Sequence, residues 1–291
     1  MPDATTWRPP PRSGPPSPLP PPTGPPAGWY HDPYGYPVVR YFDGRQWTPH
    51  TAPAFEPAKD RGADPVLPLQ VAVGAVVVLI GSLIASRYLL EYLVRFEWPI
   101  AVYALIGTTV GYGPSVWWCV YASRRWGTGR PVADLGLHFR WSDAGWGPLT
   151  WLAALGCEIA VLVVIEIVDI PLVGNTEGIG ELDLDRTYVI SLLITAVVAA
   201  PFVEEMVFRG LMLRGLRSRL GAVAAVGVQG GLFGLAHVDP VRGTGNIGLV
   251  LVLAAVGVAF GGAAYLLRRI GPTIIAHAIF NGIVMAVVLT R

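Results

Sequence analysis

The sequence predicts an all-α polytopic membrane protein with about seven transmembrane helices, preceded by a small cytosolic β module and a disordered Pro-rich tail. Of its 291 residues, 53% are hydrophobic and only 14% are charged, whereas a soluble domain carries about 25% charged residues. Apolar runs recur from residue 66 onwards, each near the ~20 residues that cross a bilayer core. The net charge of +1 offers no electrostatic basis for nucleic-acid binding, so the lipid bilayer is the expected environment.

The N-terminal region is predicted to have no core over residues 1–27. Pro, Gly, Ser and Thr dominate it, as in PPPRSGPPSPLPPPTGPPAG. Such a composition favours disorder with polyproline II character, because it offers too little apolar surface to bury.

Residues 28–52 have a different pattern, which predicts a miniature sheet of two or three strands. Val38–Phe42 has the composition of a strand, and Asp43-Gly44 is a strong hairpin signal before a returning strand. Trp29 and Trp47 flank these strands and are expected to form a Trp-centred core. Residues 53–65 are then a linker to the membrane.

This stretch resembles the short Trp-containing module of unknown function found at the ends of actinobacterial membrane proteins. The resemblance rests on GWY, DP, YFDG and QWT and implies no chemistry. The aromatic side chains either form the core of this small fold or offer a face to a protein partner.

Seven apolar runs are predicted to span the membrane. The first two form an N-terminal hairpin over residues 66–134, and the others belong to a second domain over residues 135–291. The spans are Val66–Ser86, Trp98–Ala122, Trp146–Val168, Tyr188–Met212, Ala222–Val238, Ile247–Leu267 and Pro272–Thr290. Arginines cluster after the second, fourth and sixth spans, whereas residues 170–186 are acidic. The positive-inside rule therefore predicts a multi-pass cell-membrane protein with a cytosolic N-terminus.

Two adjacent carboxylates and an arginine close the fourth apolar run. Ionisable groups at bilayer depth cost roughly 2.5–3.5 kcal/mol each, so they are rare and usually functional. Arg209 follows Glu205 by one helical turn, so these two residues can pair on one face. Glu204 is left without a local partner.

Two later spans carry strongly polar residues of their own. Phe233 and His237 lie one turn apart in the fifth span, and His277 and Asn281 lie one turn apart in the seventh. In lipid, polar groups avoid a large penalty only by facing one another. A cavity shared by these residues and Glu204 is therefore expected.

The chemistry of this set suits water activation. A carboxylate beside an imidazole can deprotonate water, and a second histidine with an amide can donate to an oxyanion. Neither a G-x-S-x-G nor an H-E-x-x-H motif is present. Glu204, His237 and His277 could also bind one divalent ion, such as zinc.

Structural readings compete with each of these assignments. A single membrane histidine can be a packing hydrogen bond, Asn281 can join two helices, and Glu205 with Arg209 can be a purely structural pair. As a set, Glu204, His237, His277 and Asn281 favour function.

Three motifs together carry a family resemblance. Glu204-Glu205-x-x-x-Arg209, Phe233-x-x-x-His237 and His277-x-x-x-Asn281 resemble the main signatures of the CPBP family, which comprises CAAX-type intramembrane endopeptidases and bacteriocin-processing (Abi) proteins. The resemblance covers roughly residues 135–288. It implies that Glu204 activates water with help from His237, and that His277 and Asn281 stabilise the oxyanion. Glu205 and Arg209 would support the site, with Phe233 packed beside it.

The leading hypothesis is thus an intramembrane endopeptidase, of a family catalogued as metalloproteases, that cleaves a membrane-associated peptide or protein within a cavity formed by spans four to seven. One alternative is a non-catalytic membrane partner or immunity protein that sequesters another membrane protein. A proton-coupled transporter is a third reading, but the sequence shows neither an internal repeat nor paired broken helices.

Overall fold

The computed structural model describes residues 26–36, 38–53, 67–176 and 186–290. The predicted Pro-rich tail up to residue 25 and most of the predicted linker lie outside these residues. The chain divides into two compact units at residues 63 and 64, and each is described by itself.

The first unit contains a three-stranded antiparallel sheet in the order β1–β2–β3. The strands are Gly28–His31, Val38–Phe42 and Trp47–Pro53. The predicted turn lies between β2 and β3, where the Asp43 carboxylate accepts the backbone N–H groups of Arg45 and Gln46 at 2.7 Å each. These two bonds lower the pKa of the Asp43 carboxyl, and Gly44 supplies the positive φ of 95° that the turn requires.

The core of this sheet is centred on a phenylalanine rather than on the two tryptophans. Phe42 is 2% exposed, and its ring lies 5.1 Å from that of Trp47 and 6.4 Å from that of Tyr30. Trp29 is 51% exposed and packs against Tyr41 on the opposite face. The expectation of a core built on both tryptophans is therefore wrong for Trp29, because side chains alternate between the faces of a strand.

The second unit is all α-helical. Its helices are α1 Leu69–Leu93, α2 Ile100–Trp126, α3 Pro131–Asp134, α4 Asp143–Val168, α5 Arg186–Leu216, α6 Ala222–Leu235, α7 Asn246–Leu267 and α8 Gly271–Leu289. Short 3₁₀ turns follow α1 at Val94–Phe96 and precede α7 at Pro240–Gly245.

Seven of these helices correspond to the seven predicted spans, but they are not equally suited to cross a bilayer. Five are long and apolar enough by length and composition, namely α1, α4, α5, α7 and α8. Helix α2 is long enough at 27 residues but is not among those five. Helix α6 has only 14 residues, or about 21 Å, against a hydrocarbon core of about 30 Å. The prediction of a helical membrane protein is confirmed, and the count of seven is supported only roughly.

Close backbone contact holds the helix pairs together. The Ser82 hydroxyl of α1 donates to the carbonyl of Gly111 in α2 at 2.6 Å, and Ser86 donates to Gly107 at 3.1 Å. A Cβ atom added to Gly257 of α7 would lie 2.9 Å from the Cα atom of Gly230 in α6. The small residues at these positions therefore let the backbones approach each other.

Candidate active site

Helix α5 is irregular on both sides of the paired carboxylates. It contains two π-helical stretches, Ile194–Ala199 and Met206–Met212, with one α-helical stretch, Ala200–Glu205, between them. Pro201 is the second residue after the first stretch and has no N–H to donate. π-Turns within helices are frequent at functional sites, and here both flank the Glu204-Glu205 pair.

The first π-stretch leaves one carbonyl without a helical partner. The N–H of Ala200 bonds to the carbonyl of Thr195, five residues back. In this pattern the next carbonyl, that of Ala196, would accept from Pro201, which has no hydrogen to give. Asn281 of α8 fills the role, and its Nδ2 donates to the Ala196 carbonyl at 2.7 Å. One of the two amide hydrogens of Asn281 therefore joins α8 to α5, as the alternative structural reading anticipated.

Glu204 and the two predicted histidines come together. Oε2 of Glu204 lies 4.0 Å from Nε2 of His237 and 3.9 Å from Nε2 of His277. This oxygen is buried and has no hydrogen-bond partner in the described part of the chain. Three groups, from α5, from α8 and from the turn after α6, thus converge on one point.

The partner of each Nδ1 atom fixes how these histidines face Glu204. Nδ1 of His237 lies 2.8 Å from the carbonyl of Phe233, which can only accept, so Nδ1 carries the hydrogen and donates. Nδ1 of His277 lies 3.0 Å from Oε1 of Glu205, and it donates to that carboxylate for the same reason. In the neutral form of either ring, Nε2 therefore presents a lone pair towards Glu204.

Glu205 and Arg209 form the ion pair that their spacing predicted. Nη1 of Arg209 donates to Oε1 of Glu205 at 2.7 Å, and both side chains are 0% exposed. Nη2 of Arg209 also donates to the carbonyl of Gly257 at 3.3 Å. Oε1 of Glu205 also accepts the hydrogen bond from Nδ1 of His277, so the ion pair is connected to the site.

Phe233 lies at the centre of an aromatic cluster around these polar groups. The Arg209 guanidinium carbon is 4.4 Å from the Phe233 ring centroid, within cation–π range. The same ring lies 4.9 Å from the His237 ring and 5.9 Å from the His277 ring. Phe233 therefore packs against both histidines and the arginine, which agrees with its predicted position beside the site.

These residues open onto a cavity of about 540 Å³. Glu204, His237, His277 and Asn281 all line it. Leu79, Leu83 and Tyr112 contribute from α1 and α2, and Glu158 and Leu162 contribute from α4. The expectation of a cavity built from the fourth to seventh spans alone is therefore too narrow, because the first three spans also contribute to its lining.

The carboxylate and the two histidines are spaced more widely than the ligands of a tetrahedral zinc ion. Within residues 26–36, 38–53, 67–176 and 186–290, no group of three or more His, Cys, Asp or Glu residues is placed to hold a metal ion. Ligand atoms about 2.0–2.1 Å from a tetrahedral zinc lie roughly 3.4 Å apart, whereas Oε2 of Glu204 is 4.0 and 3.9 Å from the two Nε2 atoms. The divalent-ion hypothesis stays a prediction, and no step below depends on it.

Two residues at the site have no signal in the motifs. Tyr112 of α2 donates its hydroxyl hydrogen to Oε1 of Glu204 at 3.1 Å. Glu158 of α4 is a second carboxylate on the cavity lining. Tyr112 is one tyrosine among several aromatic residues, so the sequence gave no reason to select it. Glu158 is one of two glutamates in its apolar run, with Glu166, and its charge at membrane depth could have marked it.

The fold and the site define a class: a helical membrane protein with a carboxylate and two histidines facing an intramembrane cavity. Residues 186–283 match the family described as type II CAAX prenyl endopeptidase Rce1-like. This match supports the CPBP/CAAX protease family for the segment, and the recognition made from the three motifs is confirmed. No curated protein and no solved structure matches the chain.

The N-terminal module has a match of its own. Residues 27–60 match a family described as a protein of unknown function, DUF2510. This agrees with the module recognised from its Trp-containing pattern, and it assigns the module no activity.

Proposed function

We propose that this protein hydrolyses a peptide bond of a membrane-associated peptide or protein, with water activated by Glu204 and His237. The observation that carries the proposal is the convergence of Glu204 Oε2 with Nε2 of both histidines on the cavity. The family of residues 186–283 supports a CAAX-protease-like intramembrane endopeptidase in general.

The proposed reaction needs only groups that the cavity contains. A water molecule donates one hydrogen bond to Oε2 of Glu204 and one to Nε2 of His237. Glu204 takes a proton as the water oxygen bonds to the scissile carbonyl carbon. When the carbon–nitrogen bond breaks, Glu204 returns this proton to the leaving amine.

The oxyanion that forms on the scissile carbonyl oxygen requires hydrogen-bond donors. Asn281 retains a second amide hydrogen besides the one given to Ala196. Since Nδ1 of His277 donates to Glu205, its Nε2 can donate only when the ring carries both protons. Donors of this kind are worth about 10²–10³ in kcat each.

The lining of the cavity indicates the substrate. It is mostly apolar, and its described part contains two carboxylates, Glu158 and Glu204, and neither lysine nor arginine. We therefore propose an apolar peptide segment whose carboxyl end is not held by a cationic pocket.

The experiment is cleavage of quenched-fluorescence apolar peptides by the full chain reconstituted in vesicles. Glu204→Gln and His237→Ala are expected to lower kcat by about 10²–10⁴, the usual contribution of general-base catalysis. Glu166→Gln is the matched control, because this acid in α4 is exposed and does not line the cavity. Equal turnover in the wild type and Glu204→Gln would favour the non-catalytic partner protein instead.

A further inference from the structure

Tyr112 contacts the proposed catalytic carboxylate from outside the segment that matches the family. It lies in α2, within the N-terminal hairpin, whereas the family match covers residues 186–283. Its hydroxyl donates to Oε1 of Glu204 at 3.1 Å. An ionised carboxylate can only accept, so the direction of this hydrogen bond is fixed.

This contact decides which way the other carboxylate oxygen points. The carboxylate group of Glu204 is planar and rigid. A hydrogen bond from Tyr112 to Oε1 therefore restricts the rotation of the whole group and fixes the direction of Oε2. Oε2 is then the oxygen that lies 4.0 and 3.9 Å from the two histidine Nε2 atoms. No other hydrogen bond holds Glu204 in the described part of the chain.

Close to this contact, helix α2 is itself bonded to two other helices. The carbonyl of Gly111, next to Tyr112, accepts from the hydroxyl of Ser82 at 2.6 Å. One turn earlier, the hydroxyl of Thr108 lies 3.2 Å from that of Thr195 in the first π-stretch of α5. Tyr112 is thus carried by a helix that is bonded to both α1 and α5, and its position is well defined.

We propose that Tyr112 is a positioning residue, which aims Oε2 of Glu204 at the reacting water and makes the α1–α2 hairpin part of the active site. This inference rests on the proposed function. It assigns the first two spans a role in the reaction beyond holding the protein in the membrane.

Tyr112→Phe is the decisive variant, because it removes one oxygen and keeps the ring that lines the cavity. We expect kcat for peptide cleavage in vesicles to fall about 10- to 100-fold, the range for losing a hydrogen bond to a charged group. KM should stay within about twofold. Tyr121→Phe is the control, since this exposed tyrosine of the same helix stacks on Trp117, away from Glu204. An unchanged kcat for Tyr112→Phe would overturn the proposal.

A second measurement does not depend on turnover. The infrared difference spectrum between a protein and the same protein with Glu204→Gln isolates the carboxylate stretching band of Glu204. Compared with the wild type, this band should shift in the Tyr112→Phe background and stay in place in the Tyr121→Phe background. A band that Tyr112→Phe leaves unmoved would contradict the inference. If the wild type cleaves no peptide faster than Glu204→Ala does, the proposed function is wrong. The infrared band then still decides whether Tyr112 orients Glu204.

Discussion

The buried pair of Glu205 and Arg209 allows a quantitative test of the fold around the site. Arg209→Met removes a 2.7 Å ion pair between two side chains that are 0% exposed. Breaking such a pair typically costs about 3–5 kcal/mol, because the remaining charge stays buried. The stacking of Arg209 on Phe233 at 4.4 Å is lost as well. His277 still donates to Glu205, so we expect a value near 3 kcal/mol, measured by SDS-driven unfolding in detergent micelles.

The double variant tests the reason for this cost. Glu205→Gln combined with Arg209→Met leaves no uncompensated charge, so it should be less destabilised than Arg209→Met alone. Glu91→Gln is the control, since its ion pair with Arg87 is 56% and 54% exposed and should contribute less than 1 kcal/mol. Additive effects of the two substitutions, or a cost below 1 kcal/mol for Arg209→Met, would refute the description of a buried, mutually dependent pair.

Two further predictions concern the substrate and the N-terminal module. A carboxylate about 10 Å from Glu158 or Glu204 is repelled by about 1.7 kcal/mol at an effective dielectric of about 20. A C-terminally amidated peptide should therefore be cleaved about 15- to 20-fold faster than its free acid in vesicles. Glu158→Gln should narrow that difference, and faster cleavage of the free acid would contradict the assignment. Phe42→Ala should cost about 3–5 kcal/mol, enough to unfold so small a sheet, and Trp29→Ala should cost less. Fluorine NMR of 5-fluorotryptophan at Trp47 would show the unfolding, and an undisturbed signal would contradict the Phe42-centred core.

The parts of the site that could be predicted are the polar groups whose arrangement is restricted by the lipid environment. Polar groups in apolar helices must find one another, so Glu204, His237 and His277 were expected at one cavity, and the structure brings them there. The pairing of Glu205 with Arg209 followed from one helical turn of spacing. In the first unit, the turn between β2 and β3 was likewise predictable from Asp43-Gly44.

The parts that could not be predicted depend on three-dimensional neighbours. Tyr112 is an ordinary aromatic until α2 packs beside α5, and nothing in its local sequence marks it. The short helix α6 could not be told from a full span, because the run predicted as the fifth span extends to Val238, three residues beyond the end of the helix at Leu235. The π-stretches of α5 depend on which hydrogen-bond pattern the backbone adopts around Pro201, and that pattern is not visible in the hydropathy of Tyr188–Ala200.

Pro201 connects these observations. Because it has no N–H, the Ala196 carbonyl needs a partner from another helix, and Asn281 provides it at 2.7 Å. This bond ties α8, which also carries His277, to the helix that carries Glu204 three residues beyond the proline. Tyr112 then holds the same carboxylate from α2. The backbone irregularity of α5 and Tyr112 of the α1–α2 hairpin therefore both help to set the direction of Glu204 Oε2 relative to the two histidines.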